Sequence, residues 1–242
     1  MSTLSADSLL SLWETGANLT PLRRCLLLLG SAWPEKSYEE WAQTGIGQRD
    51  EALLMLRESL FGVHLEANAQ CPVCHESLEL AFETAQIRVK SETASQEGRV
   101  EADGYVVIFR PPTSADLIVA TESETSLPEA LLLQRCILSA QHSDQAIDAQ
   151  QLPPELIERI QNDMARLDPQ AETLIALSCP QCQHDWQLNF DIAAYLWDEI
   201  GDWAQRILRE VHTLARAYGW SERDILGMNA QRRRSYLELL WA

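Results

Sequence analysis

The chain has 242 residues, with 19 lysines and arginines against 36 aspartates and glutamates, which gives a formal net charge of -17. This charge would repel a phosphate backbone over most of the surface, so it argues against nucleic acid as the main partner. No apolar run approaches the roughly 20 residues that span a bilayer, and residues 1–7 lack the basic and apolar features of a secretory leader. We therefore expect a protein that is cytoplasmic, or assembled from the cytoplasm, and that has no membrane partner.

Residues 1–62 have a helical pattern with start and stop signals. Ser37 and Glu40 form a capping-box pattern, which predicts a short helix after them. A longer helix is predicted from about 48 to 61, where apolar residues recur at helical spacing. At the start of this helix, Arg49-Asp50 is consistent with a solvated first turn, because an acidic residue is favourable there.

Two Cys-Pro-x-Cys motifs lie far apart in the chain and supply Cys71, Cys74, Cys179 and Cys182. Each motif is flanked by segments in which apolar and polar residues alternate, which predicts a β-hairpin around it. Four thiolates at this spacing match the tetrahedral ligand set of a structural zinc site. The usual pattern has 15 to 20 residues between the pairs, and the two pairs in this chain are much farther apart. We therefore interpret the motifs as the halves of a zinc ribbon, 63–90 and 171–190, with a long insertion between them.

Disulfides, redox chemistry and histidine ligation are the alternatives for these cysteines. Disulfides would require an oxidising compartment, and a redox Cys-x-x-Cys lies at a helix start, whereas the residues after Cys74 and Cys182 alternate as in strands. His75 and His184 follow the motifs and could each replace a cysteine as ligand. Four thiolates would saturate the metal and leave no position for water or substrate, so we expect a structural and not a catalytic Zn²⁺.

The sequence pattern of the insertion, 91–170, predicts that it forms an α/β lobe. Asp103-Gly104 separates two strand-like segments, which is a strong hairpin signal. A further strand is predicted at 117–120, and helices are predicted at 128–141 and 153–167. The chain contains no nucleophile elbow, P-loop, zinc-protease or dinucleotide-binding motif.

The C-terminal segment, 191–242, has the most regular pattern. An apolar stripe over 192–218, in steps of three and four, predicts an amphipathic helix of about 40 Å. Ser221 and Asn229 are predicted to cap two shorter helices. The last helix carries Arg232-Arg233-Arg234, which suits a solvated face or, beside exposed aromatic residues, a protein interface.

Three stretches of the sequence form a recognisable set. They are Gly47-Gln48-Arg49-Asp50 with Leu53-Leu54-Met55-Leu56-Arg57 and Phe61-Gly62; the two Cys-Pro-x-Cys motifs; and Tyr218-Gly219-Trp220-Ser221 with Asp224-Ile225-Leu226 and Arg232-Arg233. Together they resemble the small baseplate proteins of T4-type contractile phage tails and of related bacterial contractile injection systems. The resemblance covers both ends of the chain and the predicted ribbon, but not 91–170.

This resemblance implies a non-enzymatic role in the baseplate or its central hub, as a component or as an assembly chaperone. The implied partners are other baseplate and tail proteins, and no small-molecule substrate is expected. By analogy, seven residues become candidates for contacts with these partners: Arg49, Asp50, Arg57, Trp220, Ile225, Arg232 and Arg233.

The sequence therefore predicts an α+β fold in three parts: a helical N-terminal segment (1–62), a zinc ribbon with its inserted α/β lobe (63–190) and a helical C-terminal arm (191–242). Two other functions remain as alternatives. One is a zinc-ribbon adaptor that binds protein partners in regulation or quality control. The other is an enzyme with its site in the inserted lobe, where Glu101, Asp103 or Asp116 would act as acid, base or metal ligand.

Overall fold

The computed structural model describes residues 2–89, 97–123 and 127–240, and it has an α+β fold of helices and small antiparallel sheets. The helices are α1 (Ala6–Gly16), α2 (Pro21–Ala32), α3 (Tyr38–Ala42), α4 (Ile46–Phe61), α5 (Thr84–Ile87), α6 (Ser114–Glu122), α7 (Pro128–Cys136), α8 (Pro154–Leu167), α9 (Ile192–Tyr218), α10 (Glu222–Leu226) and α11 (Ala230–Leu239). The strands are β1 (His64–Gln70), β2 (Ser77–Glu83), β3 (Gly98–Ala102), β4 (Tyr105–Phe109), β5 (Ile137–His142), β6 (Gln145–Ala146), β7 (Leu174–Ser178) and β8 (Asp185–Asn189).

The chain forms two compact units, one made of residues 1–35 and 193–242 and the other of residues 36–192. The three-part division at residues 62 and 190 stays a prediction. Residues 90–96, where the first ribbon half was predicted to end and the lobe to begin, lie outside the described residues. Within the described parts, every helix is too short or too polar to cross a membrane.

In the unit that contains both chain ends, α9 provides the main apolar face. Ile200, Ile207 and Leu214 are almost completely buried and share one side of the helix, which confirms the predicted amphipathic helix. Leu10 of α1 and Ile225 of α10 belong to the same hydrophobic cluster as Ile207 and Leu214. The N-terminal and C-terminal helices therefore share a core.

The helix caps predicted at Ser37, Ser221 and Asn229 are confirmed. The hydroxyl of Ser37 accepts a hydrogen bond from the amide of Glu40, whose carboxylate accepts one from the amide of Ser37. The side chain of Ser221 accepts a hydrogen bond at the start of α10, and that of Asn229 does so at the start of α11. Each cap satisfies an amide that the first helical turn leaves unpaired.

The two predicted hairpins are also confirmed. β1 pairs with β2 and β7 pairs with β8, both antiparallel, and each pair is a separate two-stranded sheet. Side chains alternate between a more buried face and an exposed face along each strand. On the more buried side, Phe82 of β2 contacts Phe190 edge to face, with 5.5 Å between the ring centroids.

The inserted segment forms a four-stranded antiparallel sheet in the order β3-β4-β5-β6. The predicted turn between β3 and β4 is confirmed, and Asp103 and Gly104 both have positive φ angles, as expected for a tight hairpin. Val107 and Phe109 of β4 pack with Ile160 of α8 in a buried cluster. The helix predicted at 153–167 corresponds to α8.

Two predictions for this segment are wrong. Residues 117–120 lie in helix α6 and not in a strand, because Thr113 and Asp116 form a capping box that begins a helix. The helix predicted over 128–141 ends at Cys136, and β5 follows it. β5 pairs with β4, so strand pairing in the folded chain overrides the local helical pattern.

Candidate metal centre

Each cysteine motif forms the turn of its hairpin: the first motif connects β1 to β2, and the second connects β7 to β8. The amide of Cys71 donates a hydrogen bond to the carbonyl of Glu76, and that of Cys179 donates one to the carbonyl of His184, both at 2.9 Å. The backbone pairing of each hairpin therefore continues up to the first cysteine of its motif.

The two turns have the same backbone conformation. The residues that follow the second cysteines, His75 and Gln183, have φ angles of 62° and 59°. Their amides donate hydrogen bonds to the carbonyls of Cys71 and Cys179, at 3.0 and 2.8 Å. Because the backbones match, each turn presents its pair of sulfur atoms in the same way.

The four cysteine sulfurs all lie within 4.8 Å of one another. The Sγ atoms of Cys71 and Cys182 are 3.6 Å apart, and those of Cys74 and Cys179 are 3.5 Å apart. A disulfide bond would require about 2.05 Å. Four sulfurs placed about 2.3 Å from a tetrahedral metal would be about 3.8 Å apart. The four cysteines are therefore close enough to bind one metal ion.

The electrostatics of the cluster favour a cation. Burial raises the pKa of Cys71, but hydrogen bonds from the amides of Cys74 and Val73 outweigh it and lower this pKa to about 6. The amide of Glu76 lowers the pKa of Cys74, but desolvation and the three neighbouring cysteines raise it to about 12. Four thiolates at this spacing repel one another, and a bound dication would offset the repulsion.

The two histidines do not complete the ligand set. In the described parts of the chain, the one group of metal-ligating side chains is the four cysteines, without His75 or His184. His75 is exposed. The ring of His184 stacks with that of Trp186, at 6.1 Å between centroids. The donor set is therefore sulfur alone.

The predicted contact residues of α4 are largely internal. Arg49 is 6% exposed, so the predicted solvated first turn is wrong. Its guanidinium donates to the carboxylate of Asp50 at 2.7 Å and to the hydroxyl of Ser114 at 3.4 Å. Arg57 is 3% exposed and donates to the carbonyl of Gly62 at 2.8 Å. Both arginines thus connect parts of their own unit.

Burial and neighbouring charges shift the pKa of Asp50. Desolvation raises its pKa to about 6, although the positive charge of Arg49 acts in the opposite direction. The nearby carboxylates of Asp191 and Asp168 raise the pKa further. The start of α4 therefore contains a carboxyl group that titrates close to neutral pH.

The C-terminal contact residues divide into internal and external side chains. Ile225 is fully buried. Arg233 is 5% exposed and donates to the Glu210 carboxylate at 2.9 Å and to the carbonyl of Met228 at 2.5 Å. Its neighbour Arg232 is exposed. The arginine triplet is therefore not uniformly solvated.

Trp220 belongs to an aromatic cluster near the end of α9. Its ring stacks on Tyr218, with 4.5 Å between centroids, and meets Tyr236 edge to face at 4.8 Å. The guanidinium of Arg232 lies 5.9 Å from the Tyr236 ring. Contacts of the seven residues with other proteins stay a prediction.

Sequence reasoning missed a buried ion-pair network around Asp116, which is 1% exposed. Its carboxylate accepts hydrogen bonds from Arg110 at 2.6 Å, from Arg135 at 2.9 Å and from the amide of Thr113 at 3.0 Å. Burial raises the pKa of Asp116, but Arg110 and Thr113 hold it below its ordinary range. The Thr-x-x-Asp capping pattern was the signal in the sequence.

The carboxylates proposed for an enzyme do not form a metal-binding group. Asp116 is occupied by its arginines, and Glu101 pairs with Arg99 on an exposed part of β3. Asp103 lies in the turn after β3. Across the residues that the structure describes, these three are not among the side chains close enough to hold an ion together.

The helices, the small antiparallel sheets and the sulfur cluster define a mixed helix-and-sheet protein with a candidate four-cysteine centre. The family model described as "T4 bacteriophage base plate protein" matches residues 37–195, well over half of the chain. The chain therefore belongs to the T4 bacteriophage base plate protein family. No curated protein and no solved structure matches it.

The matched range refines the resemblance found in the sequence. It includes the first motif at 47–62, both cysteine motifs and also 91–170, which the resemblance did not cover. It ends before the motif that begins at Tyr218. Membership supports a structural or assembly role in a baseplate and interaction with other baseplate or tail proteins, and it suggests a non-enzymatic protein.

Proposed function

We propose that this protein is a non-enzymatic structural or assembly (chaperone-like) protein of the baseplate of a contractile phage-tail-like particle, and that a structural Zn²⁺ stabilises its fold. The family match supports the baseplate role. The single observation that carries the zinc assignment is the cluster of four cysteine sulfurs within 4.8 Å, formed by Cys71, Cys74, Cys179 and Cys182.

The chemistry of the donor set favours zinc and a structural role. A tetrahedral set of four sulfurs is typical of Zn²⁺ or of iron, and closed four-cysteine sites are common structural zinc sites. Four protein ligands leave no open position on the metal. The ion would supply only the bonds that hold the two turns together.

The sheet arrangement explains why the fold needs such a bond. The two hairpins are separate two-stranded sheets, and an isolated two-stranded hairpin is marginally stable in water. Each turn contributes two of the four ligands, so the metal would join both hairpins at their turns. In this way the two elements would stabilise each other as one zinc ribbon.

Metal analysis tests the zinc assignment. We expect one zinc per chain in the purified protein and a lower melting temperature after chelation, because binding energy at such sites is folding energy. Cys179→Ser should lose the zinc. Cys136→Ser is the matched control, because Cys136 is buried in the core of the inserted lobe, away from the cluster, and should keep the zinc. An unchanged melting curve after chelation, or full zinc content in Cys179→Ser, would contradict the assignment.

We also propose that the seven residues of the two terminal motifs contribute to partner surfaces. Trp220 and Arg232 would touch a partner directly, since protein interfaces favour tryptophan, tyrosine and arginine. The buried members, such as Arg49 and Arg233, would hold the shape of these surfaces through the internal contacts described above. Their effect on a partner would therefore be indirect.

Affinity purification of the tagged full-length protein from cells that produce the particle tests this role. Baseplate, tube or sheath proteins should copurify, and Arg232→Ala should weaken their retention. If only regulators or proteases copurify, the adaptor function replaces the baseplate proposal. The presence or absence of the protein in finished particles then separates a component from an assembly chaperone.

A further inference from the structure

Two unpaired strand edges line one cavity in the cysteine-containing region. Within the described residues, β2 pairs only with β1, and β7 pairs only with β8. Residues 79–82 of β2 and 174–177 of β7 line a cavity of about 480 Å³, together with Gln86 and Ile87 of α5. β2 and β7 belong to separate sheets and are not hydrogen-bonded to each other, so the cavity is a gap between two sheets.

The backbone of β2 directs hydrogen-bonding groups away from β1 along its second edge. Hydrogen bonding alternates along an antiparallel pair. Bonds join Cys71 to Glu76 at one end of the first hairpin and Thr84 to Val63 at the other. This register makes the even-numbered residues of β2 bond to β1, so the amides and carbonyls of residues 79 and 81 point away from β1.

The same alternation applies to β7. Bonds join Cys179 to His184 and Phe190 to Thr173 at the two ends of the second hairpin. The odd-numbered residues of β7 therefore bond to β8, and the amides and carbonyls of residues 174 and 176 point away from β8. Among the described residues, each of the two strands that line the cavity thus has one edge that no other strand pairs with.

The side chains around the cavity indicate which strand would fit. Leu80, Phe82, Ile175 and Leu177 are half-buried and make one face apolar. The exposed face of β2 carries the carboxylates of Glu79 and Glu83, whereas that of β7 carries Leu174, Ala176 and Ser178. A strand with alternating apolar and basic side chains would match the apolar face of the cavity and the acidic face of β2.

We propose that the gap between β2 and β7 accepts an extended segment of another baseplate protein, in which apolar and basic residues alternate. This inference rests on the proposed baseplate function. The segment would bond to both edges and convert two two-stranded sheets into one five-stranded sheet, as in other cases of strand addition. β2 leads away from the sulfur cluster and β7 leads toward it, so the segment would be parallel to one edge and antiparallel to the other.

Charge disfavours a second copy of this chain as the occupant. The chain has a net charge of -17, and a second copy would place its own acidic hairpin against Glu79 and Glu83. Like charges on adjacent strands are destabilising. Exposed edges also invite uncontrolled pairing, and the acidic face limits this to segments of opposite charge.

Fluorescence anisotropy with the zinc-loaded full-length protein tests the inference. The probe is a labelled seven-residue peptide in which lysine and valine alternate. Two comparison peptides have either the same composition in two blocks or glutamate in place of lysine. The alternating lysine peptide should bind at least ten times more tightly than both. In hydrogen exchange, its binding should protect the amides of residues 79, 81, 174 and 176.

Proline variants locate the binding edge. Ala176→Pro removes an amide that points away from β8, and proline is tolerated where an edge amide points away from its sheet. Gln187→Pro is the matched control, because Gln187 is opposite Ala176 and its amide faces the outer edge of β8. We expect at least tenfold weaker peptide binding by Ala176→Pro and no change for Gln187→Pro, with zinc content and melting temperature confirming that both variants fold.

Several results would overturn the inference: no binding of the alternating peptide, equal binding of the block peptide, or equal binding by Ala176→Pro and wild type. A dimer of the wild-type protein that Ala176→Pro dissociates would show that a second copy fills the gap instead. Copurification of baseplate proteins and the zinc content are measured separately, so failure here is distinguishable from failure of the proposed function.

Discussion

Asp168 caps helix α4 from a distant part of the sequence: its carboxylate accepts a hydrogen bond of 2.9 Å from the amide of Gly47, 121 positions earlier. The carboxylate lies at the positive end of the helix dipole. Burial raises the pKa of Asp168, while the Gly47 amide and the charge of Arg49 lower it. This contact connects the segment after α8 to the helical start of its unit.

Gly47→Ala should disrupt this contact. A Cβ atom at this position would lie 2.0 Å from a carboxylate oxygen of Asp168 and 3.0 Å from the backbone nitrogen of Ala171. We expect a loss of about 1–3 kcal/mol in the free energy of unfolding, measured by urea denaturation, because the overlap forces side chain and backbone to move. Gly30→Ala is the control, since nothing lies within 4 Å of its added Cβ. Equal effects of the two substitutions would refute the close approach.

Asp50 predicts a pH dependence of stability. Its pKa is about 6 in the folded protein, against an ordinary value of 3.8. Between these values the folded state binds more protons than the unfolded state, so this stabilising contribution is complete below pH 3.8 and is lost as the pH rises through 6. From pH 5 to pH 7, wild type should lose about 1 kcal/mol relative to Asp50→Asn.

Urea denaturation of both proteins across this pH range measures the difference. Asp202→Asn, which removes a carboxylate from an exposed position of α9, is the control for a change in net charge. A constant difference between wild type and Asp50→Asn at every pH would contradict the raised pKa of Asp50.

Breaking the ion-pair network around Asp116 should lower the free energy of unfolding. Asp116→Asn removes the charge that pairs with Arg110 and Arg135. We expect a loss of about 2–4 kcal/mol in the free energy of unfolding, because two arginines lose their buried partner. Glu101→Gln breaks an exposed ion pair with Arg99, where both side chains are about 60% exposed, and should cost less than about 1 kcal/mol. Similar losses for the two variants would show that the ion pairs of Asp116 stabilise the fold no more than the exposed pair of Glu101 and Arg99.

Substitutions of the neighbouring residues Arg232 and Arg233 of α11 should have different effects on stability. Arg233→Ala removes the internal bonds to Glu210 and Met228 and should reduce the free energy of unfolding by about 2–3 kcal/mol. Arg232→Ala affects an exposed side chain and should change stability by less than about 0.5 kcal/mol while weakening partner binding. Thermal melts and affinity purification measure the two effects. A stable Arg233→Ala protein would contradict the internal role.

Local patterns in the sequence predicted the local parts of this structure. The alternation around each cysteine motif predicted both hairpins, and the apolar stripe of α9 predicted its length and its buried face. The cysteine spacing predicted that the sulfurs meet across a long insertion. These features depend on periods of two and 3.6 residues and on ligand spacing, which are visible in one sequence.

Features that depend on distant contacts were not predictable in this way. The charged pair Arg49-Asp50 near the start of a helix predicts a solvated turn. In the structure, however, Arg49 is buried and donates a hydrogen bond to Ser114, 65 positions later. The residues after α7 continue a helical pattern in the sequence, but they form β5 because they pair with β4. In the arginine triplet, composition cannot show that Arg233 reaches Glu210, 23 positions earlier.

The separation of the cysteine motifs has a consequence for synthesis of the protein. Paired sulfurs are 105 and 111 positions apart, so the first two ligands leave the ribosome well before the other two exist. At a synthesis rate of about 5–20 residues per second, the nascent chain carries only two of the four cysteines for roughly 5–20 s. Capture of the proposed Zn²⁺ by all four cysteines would therefore have to wait until the intervening lobe has been synthesised.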